Sequence, residues 1–298
     1  MFVAYNDYKK LSDGNEIKDY KKFYKKISNT IEFGGSFTNY DYLVKYRFMN
    51  IFQHVYNVIL RRHPSNLLDV GCGNGVNLPL ANIFPFIDYH GLDYAEKAIE
   101  SAQKEYSNIQ FHVEDAFNTS FNDKTFDAVI LSSVLILYKE ESDRIKLLNE
   151  IRRILTDDGI FILIVWKESF FLKKSIQLSR IIGKLLKQNL PKDFMAVYFS
   201  TADIKKLADN TSFRITESIH PSPHYGVLES VRYLNLSKYN RKYGKSESES
   251  AKVHSQNILK DLQDQAGGLR FLTKIFYYLA KLSPNMFSHY SVYVMEKR

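Results

Sequence analysis

The feature that most constrains this chain is a short apolar strand, Leu67-Leu68-Asp69-Val70, running directly into Gly71-Cys72-Gly73-Asn74-Gly75. Glycines at such a junction let the backbone come close to a ligand, and the helix beyond them offers unpaired N–H groups at its start. A strand, a glycine turn and a helix in that order favour a parallel sheet with its ligand at the carboxyl edge. A dinucleotide fingerprint would need GxGxxG. Here the third glycine, Gly75, comes one residue early, and Val76 stands at the dinucleotide position.

Alternation of strand and helix patterns continues from that junction. Tyr42 to Arg62 carries apolar residues at helical spacing, and Pro64 and Ser65 end it. Asn66 to Val70 reads as a first strand, Val76 to Ile83 as a helix and Asp88 to Leu92 as a second strand. Ala95 to Tyr106 is expected to be helical, Ile109 to Val113 a third strand, and Phe126 to Leu131 a fourth. Glu141 to Leu155 then reads as helix and Gly159 to Trp166 as a fifth strand. Thr201 to Asn210 is a further helix, Phe213 to Ile219 a sixth strand, and Tyr290 to Met295 an apolar run able to close the sheet. The predicted fold is α/β: a Rossmann-like, seven-stranded, mostly parallel sheet with a helical cap insert. The expected organisation is an N-terminal helical segment or lid over 1–65, a core over 66–221 and 286–298, and a helical insert or cap over 222–285.

Acids punctuate the carboxyl ends of the first three strands. Asp69 precedes the glycines, Asp93 ends Gly91-Leu92-Asp93, and Asp115 sits in Glu114-Asp115-Ala116. A carboxylate about twenty residues beyond such a loop can accept both hydroxyls of a ribose.

This constellation resembles the class I S-adenosylmethionine-dependent methyltransferases. The likeness runs closely from Asn66 to Trp166, through LLDVGCGNG, GLDYAEKAIESAQ, VEDA, FDAVILSSVL and EIRRILTDDGIFIL, and more loosely through the sixth and last strands. It implies S-adenosylmethionine as cofactor. By the same resemblance, Gly71, Gly73 and Gly75 pack against its methionine moiety and Asp69 supports their loop. Asp93, with Tyr94 beside it, would meet the ribose, Asp115 the adenine amine and Ala116 the ring edge. Leu131 and Ser132 would lie beside the sulfonium, and Arg47 would meet the cofactor carboxylate. Asp127 is read as a cap at the start of the fourth strand, and Cys72 as a small apolar filler.

Charge and cysteine usage then bear on partners. Lys and Arg number 41 against 33 Asp and Glu, a net charge of +8, with 45% hydrophobic residues, which excludes a disordered acidic chain. A single cysteine fits a reducing compartment. The opening residues turn polar before any apolar run can form, and no run reaches the roughly 18 residues that span a bilayer. The expected location is cytoplasmic, or at most peripheral to a membrane. No His/Cys/Asp cluster has metal-ligand spacing, so no metal is expected.

The residues immediately after the fourth strand narrow the acceptor. Enzymes that methylate exocyclic base amines carry an Asp/Asn-Pro-Pro-Tyr/Phe tetrad there, whereas this chain reads Leu131-Ser132-Ser133-Val134. Cytosine C5 methylation needs a cysteine in a substrate loop, and Cys72 lies in the cofactor loop. The expected reaction moves a methyl group to oxygen or nitrogen of a small-molecule or lipid-linked metabolite, ahead of nucleic acid. A non-catalytic cofactor-binding module and an RNA methyltransferase using the basic surface stand as the alternatives.

Residues beyond strands four, five and six should face the pocket: Ser133, Trp166, His220 and His224, with His289 before the last strand. His220, His224 and His289 are the candidate bases or acceptor anchors, against the plainer reading of each as a surface or core histidine. Two acid-free basic amphipathic segments, Phe170 to Leu190 and Leu269 to Leu282, suit either a lid over the pocket or an anionic membrane surface.

Overall fold

The computed structural model describes residues 42–73, 77–170, 173–174, 177, 197–220, 283, 286, 288 and 290–298. In chain order the elements are α1 (Tyr42–Arg62), β1 (Asn66–Val70), α2 (Pro79–Ile83), β2 (Asp88–Asp93), α3 (Glu96–Glu105), β3 (Gln110–Val113) and β4 (Phe126–Ser132). A 3-10 turn at Leu135–Leu137 leads to α4 (Glu141–Ile154), β5 (Leu155–Trp166), α5 (Thr201–Asn210), β6 (Phe213–Ile219) and β7 (Tyr290–Lys297). The described residues fall into two compact units. One takes its members from Met1–Trp166, Phe194–Ile219 and Val292–Arg298, the other from Lys167–Asp193 and His220–Ser291.

The seven-stranded sheet has the order β3-β2-β1-β4-β5-β7-β6. β1 pairs in parallel with β2 and β4, β2 with β3, and β4 with β5, whereas β6 and β7 are antiparallel. Lys297, the last residue of β7, lies 3.5 Å from Asp157 near the start of β5, so β7 runs against β5. From β1 the chain winds first toward β3 and then back through β4. That reversal opens a crevice at the carboxyl ends of β1 and β4.

The central strands are buried on both faces, which explains their continuous apolar runs. Leu67, Leu68, Ala128, Val129, Ile130, Leu131, Phe161, Ile162 and Ile164 are all inaccessible. β5 begins at Leu155 rather than Gly159, because Leu155 both caps α4 and pairs with Phe126. The register slips between Phe126 and Ala128, and the exposed Asp157 and Asp158 occupy that irregular start. α2 begins at Pro79, where a fixed φ suits a first helical position, and not at Val76, which lies outside the described residues.

Two local devices fix the frame. Asp127 Oδ2 accepts from the backbone N–H of Ser65 (3.0 Å) and Asn66 (3.1 Å), so it anchors the start of β1 rather than capping its own strand. Ser200 and Asp203 form a capping box at α5, which satisfies two donors that no carbonyl of the helix can reach. Phe126, fully buried, meets Phe121 edge-on at 4.9 Å and the His90 ring at 5.2 Å.

Removing a fully packed ring leaves a cavity, whereas removing the Ser200 hydroxyl loses two exposed hydrogen bonds. Phe126→Ala is therefore expected to cost about 3–5 kcal/mol and Ser200→Ala about 1 kcal/mol, read from urea unfolding midpoints. Equal losses would contradict this packing.

Candidate functional site

β1 does not end cleanly at Val70. The N–H groups of Gly71 and Cys72 both donate to the Leu92 carbonyl, at 2.7 and 3.0 Å, and carry the β1–β2 pairing into the turn. Gly71 and Gly73 have φ of +70° and +54°, the left-handed region that favours glycine. A Cβ on Gly71 would fall 2.2 Å from Val134 Cγ2, whereas a Cβ on Gly73 would meet nothing within 4 Å. The turn is thus tight against the chain beyond β4 at one glycine and open at the other. Gly75 lies outside the described residues.

Asp93 holds this turn to the second strand. Its Oδ2 accepts from Gly73 N–H at 3.0 Å and its Oδ1 from Ala95 N–H at 2.9 Å, just before α3. The carboxyl is 4% exposed. Burial raises its pKa above the ordinary value, and the backbone donors of Ala95, Gly73 and Tyr94 oppose that rise. Each oxygen keeps acceptor capacity beyond these bonds.

Asp69 is more extreme. It is 1% exposed, and Asn77 Nδ2 reaches its Oδ1 only at a long 3.4 Å. Among the described residues Asp69 Oδ2, Asn77 Oδ1 and the Tyr89 hydroxyl are buried with no well-formed hydrogen bond, although the Tyr89 hydroxyl lies close enough to Asp69 to act on its carboxyl. Burial, reinforced by the Asp93 charge, pushes the Asp69 carboxyl up to about 7 while the Asn77 and Tyr89 side chains oppose it. Cys72 is buried beside these acids and its thiol is pushed well above the ordinary range, first by burial, which makes it a poor nucleophile.

The remaining residues expected at the site lie along the same strand ends or outside the described residues. Asp115, exposed beyond β3, accepts from Phe117 N–H at 3.1 Å, with Ala116 partly buried beside it. Leu131 is fully buried within β4, and Ser132, like Tyr94, is partly exposed. Ser133 takes a positive φ of 59° and donates its N–H to Ile164 O at 2.9 Å, a strained residue at the strand's carboxyl end. Arg47 lies on α1, but its side chain, like His224 and His289, is outside the described residues. So are nearly all of the two basic segments.

His220 belongs to the second unit, with two neighbours that strand and helix periodicity does not reveal. Its Nδ1 lies 2.9 Å from Ser291 Oγ. Lys167 Nζ lies 3.4 and 3.3 Å from Nδ1 and Nε2. Near-equal distances place the amine between the two ring nitrogens and in line with neither. Burial, then the Lys167 charge, lowers His220 to about 4. Lys167 is 2% exposed, and burial lowers its amine to about 8. The end-of-strand rule that selects Trp166 would find Lys167 one residue later.

Part of this chain is similar to known proteins. A family model described as "Methyltransferase domain" matches residues 68–163. A demethylmenaquinone methyltransferase of Thermotoga maritima is 34% identical over 113 residues, 38% of this chain and 48% of that protein. A probable tRNA methyltransferase 9B of Homo sapiens is 30% identical over 104 residues, 35% of this chain and 22% of that protein. The match thus spans about half of the first relative and less than a quarter of the second. An O-methyltransferase from a trans-AT PKS multienzyme of Brevibacillus brevis, in complex with S-adenosyl-L-homocysteine, shares the fold. Its TM-score is 0.52 at 14% identity, over 85% of this chain and 75% of that one.

Two outcomes test the geometry. Gly73→Ala should cost about 1–2 kcal/mol from backbone strain, and Gly71→Ala more, with Val134→Ala restoring part of the excess in urea unfolding. Asp69's raised pKa means that the folded chain keeps a proton the unfolded chain has lost. That stabilisation is complete below pH 3.8 and lost as pH rises through about 7. Relative to Asp69→Asn, the cofactor-free protein should therefore lose about 2–3 kcal/mol between pH 5 and 8. A gap that is flat with pH contradicts the protonated acid.

Proposed function

With residues 68–163 forming a class I S-adenosylmethionine-dependent methyltransferase domain, we propose that this chain transfers a methyl group to oxygen or nitrogen of a small-molecule or lipid-linked metabolite. The observation that carries the reading is the Gly71–Gly73 turn locked to Asp93 at the reversal of strand order, beside the buried Asp69.

These residues fit the cofactor. Gly73 leaves open space where a side chain would stand, and Asp69 keeps a buried oxygen with no well-formed hydrogen bond among the described residues. Gly71, Gly73 and Asp69 would hold the amino-acid end, Asp93 and Tyr94 the ribose, and Asp115 and Ala116 the base. When bound, the cofactor supplies a methyl group already activated on a positively charged sulfur. The chain's own part is to align the nucleophile and keep water away, and orientation alone can account for much of the acceleration. Two buried acids suit a ligand carrying positive charge, since their ionised forms gain a partner.

A proton must leave the acceptor when it is a hydroxyl. His220, lowered to about 4, is a weak base at neutral pH and better suited to anchoring an acceptor by a hydrogen bond. Lys167, at about 8, is closer to the value that neutral-pH proton transfer favours. The lipid-linked side of the proposal draws on the demethylmenaquinone methyltransferase relative. A second reading, an RNA acceptor, draws on the tRNA methyltransferase relative and the net charge of +8.

The test pairs binding with turnover. Calorimetry with S-adenosylhomocysteine should give saturable binding to the wild-type chain, weakened at least about tenfold in Asp93→Ala, a loss of one charge-assisted contact or more. Mass spectrometry of a quinone, small-molecule and tRNA panel should then find a methylated species only with wild type. Unchanged affinity in Asp93→Ala contradicts the assignment, and methylated tRNA alone selects the second reading.

A further inference from the structure

At the amino edge of the sheet, opposite the glycine turn, the end of α4, the start of β5 and the end of β7 converge on a cavity of about 480 Å³. Four cations, Lys124, Arg152, Arg153 and Lys297, face it against two carboxylates, Asp123 and Asp157. The cations are unequally matched. Arg153 is committed to Asp123 at 2.8 Å, Glu150 at 2.7 Å and the Phe121 carbonyl at 2.8 Å. Asp157 is shared between Lys124 at 2.6 Å and Lys297 at 3.5 Å.

Arg152 is the remaining one. Its Nε is buried and has no acceptor among the described residues. Capping of α4 does not consume it, because the Arg153 and Ile154 carbonyls are taken by the N–H groups of Lys124 and Thr125 at 2.9 and 2.8 Å. A buried guanidinium N–H without an acceptor is costly, and its usual explanation is an ion or water that completes it.

We infer that this cavity binds a phosphoryl group, with Arg152 as its principal donor and Lys297 and Lys124 supplying flanking charge. A tetrahedral dianion accepts from several directions at once, so a guanidinium and two ammonium groups around one volume match it. Lys297 shares Asp157 with Lys124, and burial is the main cause that lowers its amine, with Asp157 outweighing the smaller effects of Arg152 and Lys124. A bound anion would give these cations a second partner. Nothing in the methyl-transfer reading requires the site, which stands at the other end of the strands.

The phosphoryl group could belong to free phosphate or to a nucleic-acid backbone, and one experiment separates them. Inorganic phosphate is titrated by calorimetry into the full chain at pH 7 in chloride buffer, for wild type, Arg152→Met, Arg152→Lys and Lys297→Met. Saturable single-site binding is expected in wild type, weakened about tenfold or more in Arg152→Met and less in the other two, with S-adenosylhomocysteine affinity unchanged throughout. Arg152→Lys keeps charge but loses the fork, so a loss there with an unaltered unfolding midpoint separates recognition from misfolding. A short single-stranded RNA that displaces phosphate from wild type identifies a backbone source; failure to displace it identifies free phosphate. No saturable binding in wild type, or equal binding in Arg152→Met, overturns the inference.

Discussion

The Asp93 carboxylate joins three pieces of chain that would otherwise diverge. One oxygen takes the Gly73 N–H of the turn after β1, and the other takes the Ala95 N–H before α3. The carboxylate itself ends β2, whose Leu92 carbonyl receives the Gly71 and Cys72 donors. These bonds tie Gly71, Cys72 and Gly73 to the second strand from within the chain. Pre-organisation of this kind lowers the ordering cost that binding must meet.

That arrangement costs stability, and the cost is local. Two acids lie within the same buried corner, and Asp69 has no cation beside it among its described contacts. Burying a carboxylate without such a partner raises its pKa rather than leaving the charge in place. Strain at Ser133 and the positive φ at Gly71 and Gly73 accumulate near the same carboxyl edge. The large apolar core of the central strands carries this, with Leu67–Val70, Ala128–Leu131 and Ile160–Trp166 almost wholly inaccessible. Local violations at a well-supported site are the pattern expected where function, and not folding, sets the residues.

Much of this is legible in the sequence because it depends on local periodicity. The strands from Asn66 to Trp166 follow apolar runs that a doubly covered sheet requires, and the glycine turn declares itself by spacing. Boundaries set by tertiary contacts are not legible. β5 starts at Leu155 because Phe126 pairs with it, and Asp127 serves β1 because the two strands are neighbours. Lys167 escapes pattern reading since its importance lies in burial beside His220, which no window of sequence displays. The Arg152 cavity gathers residues from Asp123 to Lys297, so it exists only after folding. The expected roles of Gly75, His224 and His289, like the Arg47 side chain, lie outside the described residues.

The turn after β1 and the acids at the ends of β1 and β2 form the proposed cofactor site, and every assignment to methyl transfer rests on that claim. A crystal structure of the chain soaked with S-adenosylhomocysteine tests it most directly. The account predicts density against Gly71 and Gly73, with the ribose hydroxyls within hydrogen-bond distance of Asp93. Ordered ligand elsewhere on the molecule, with the Asp93 carboxylate touching only Gly73 and Ala95, would contradict it.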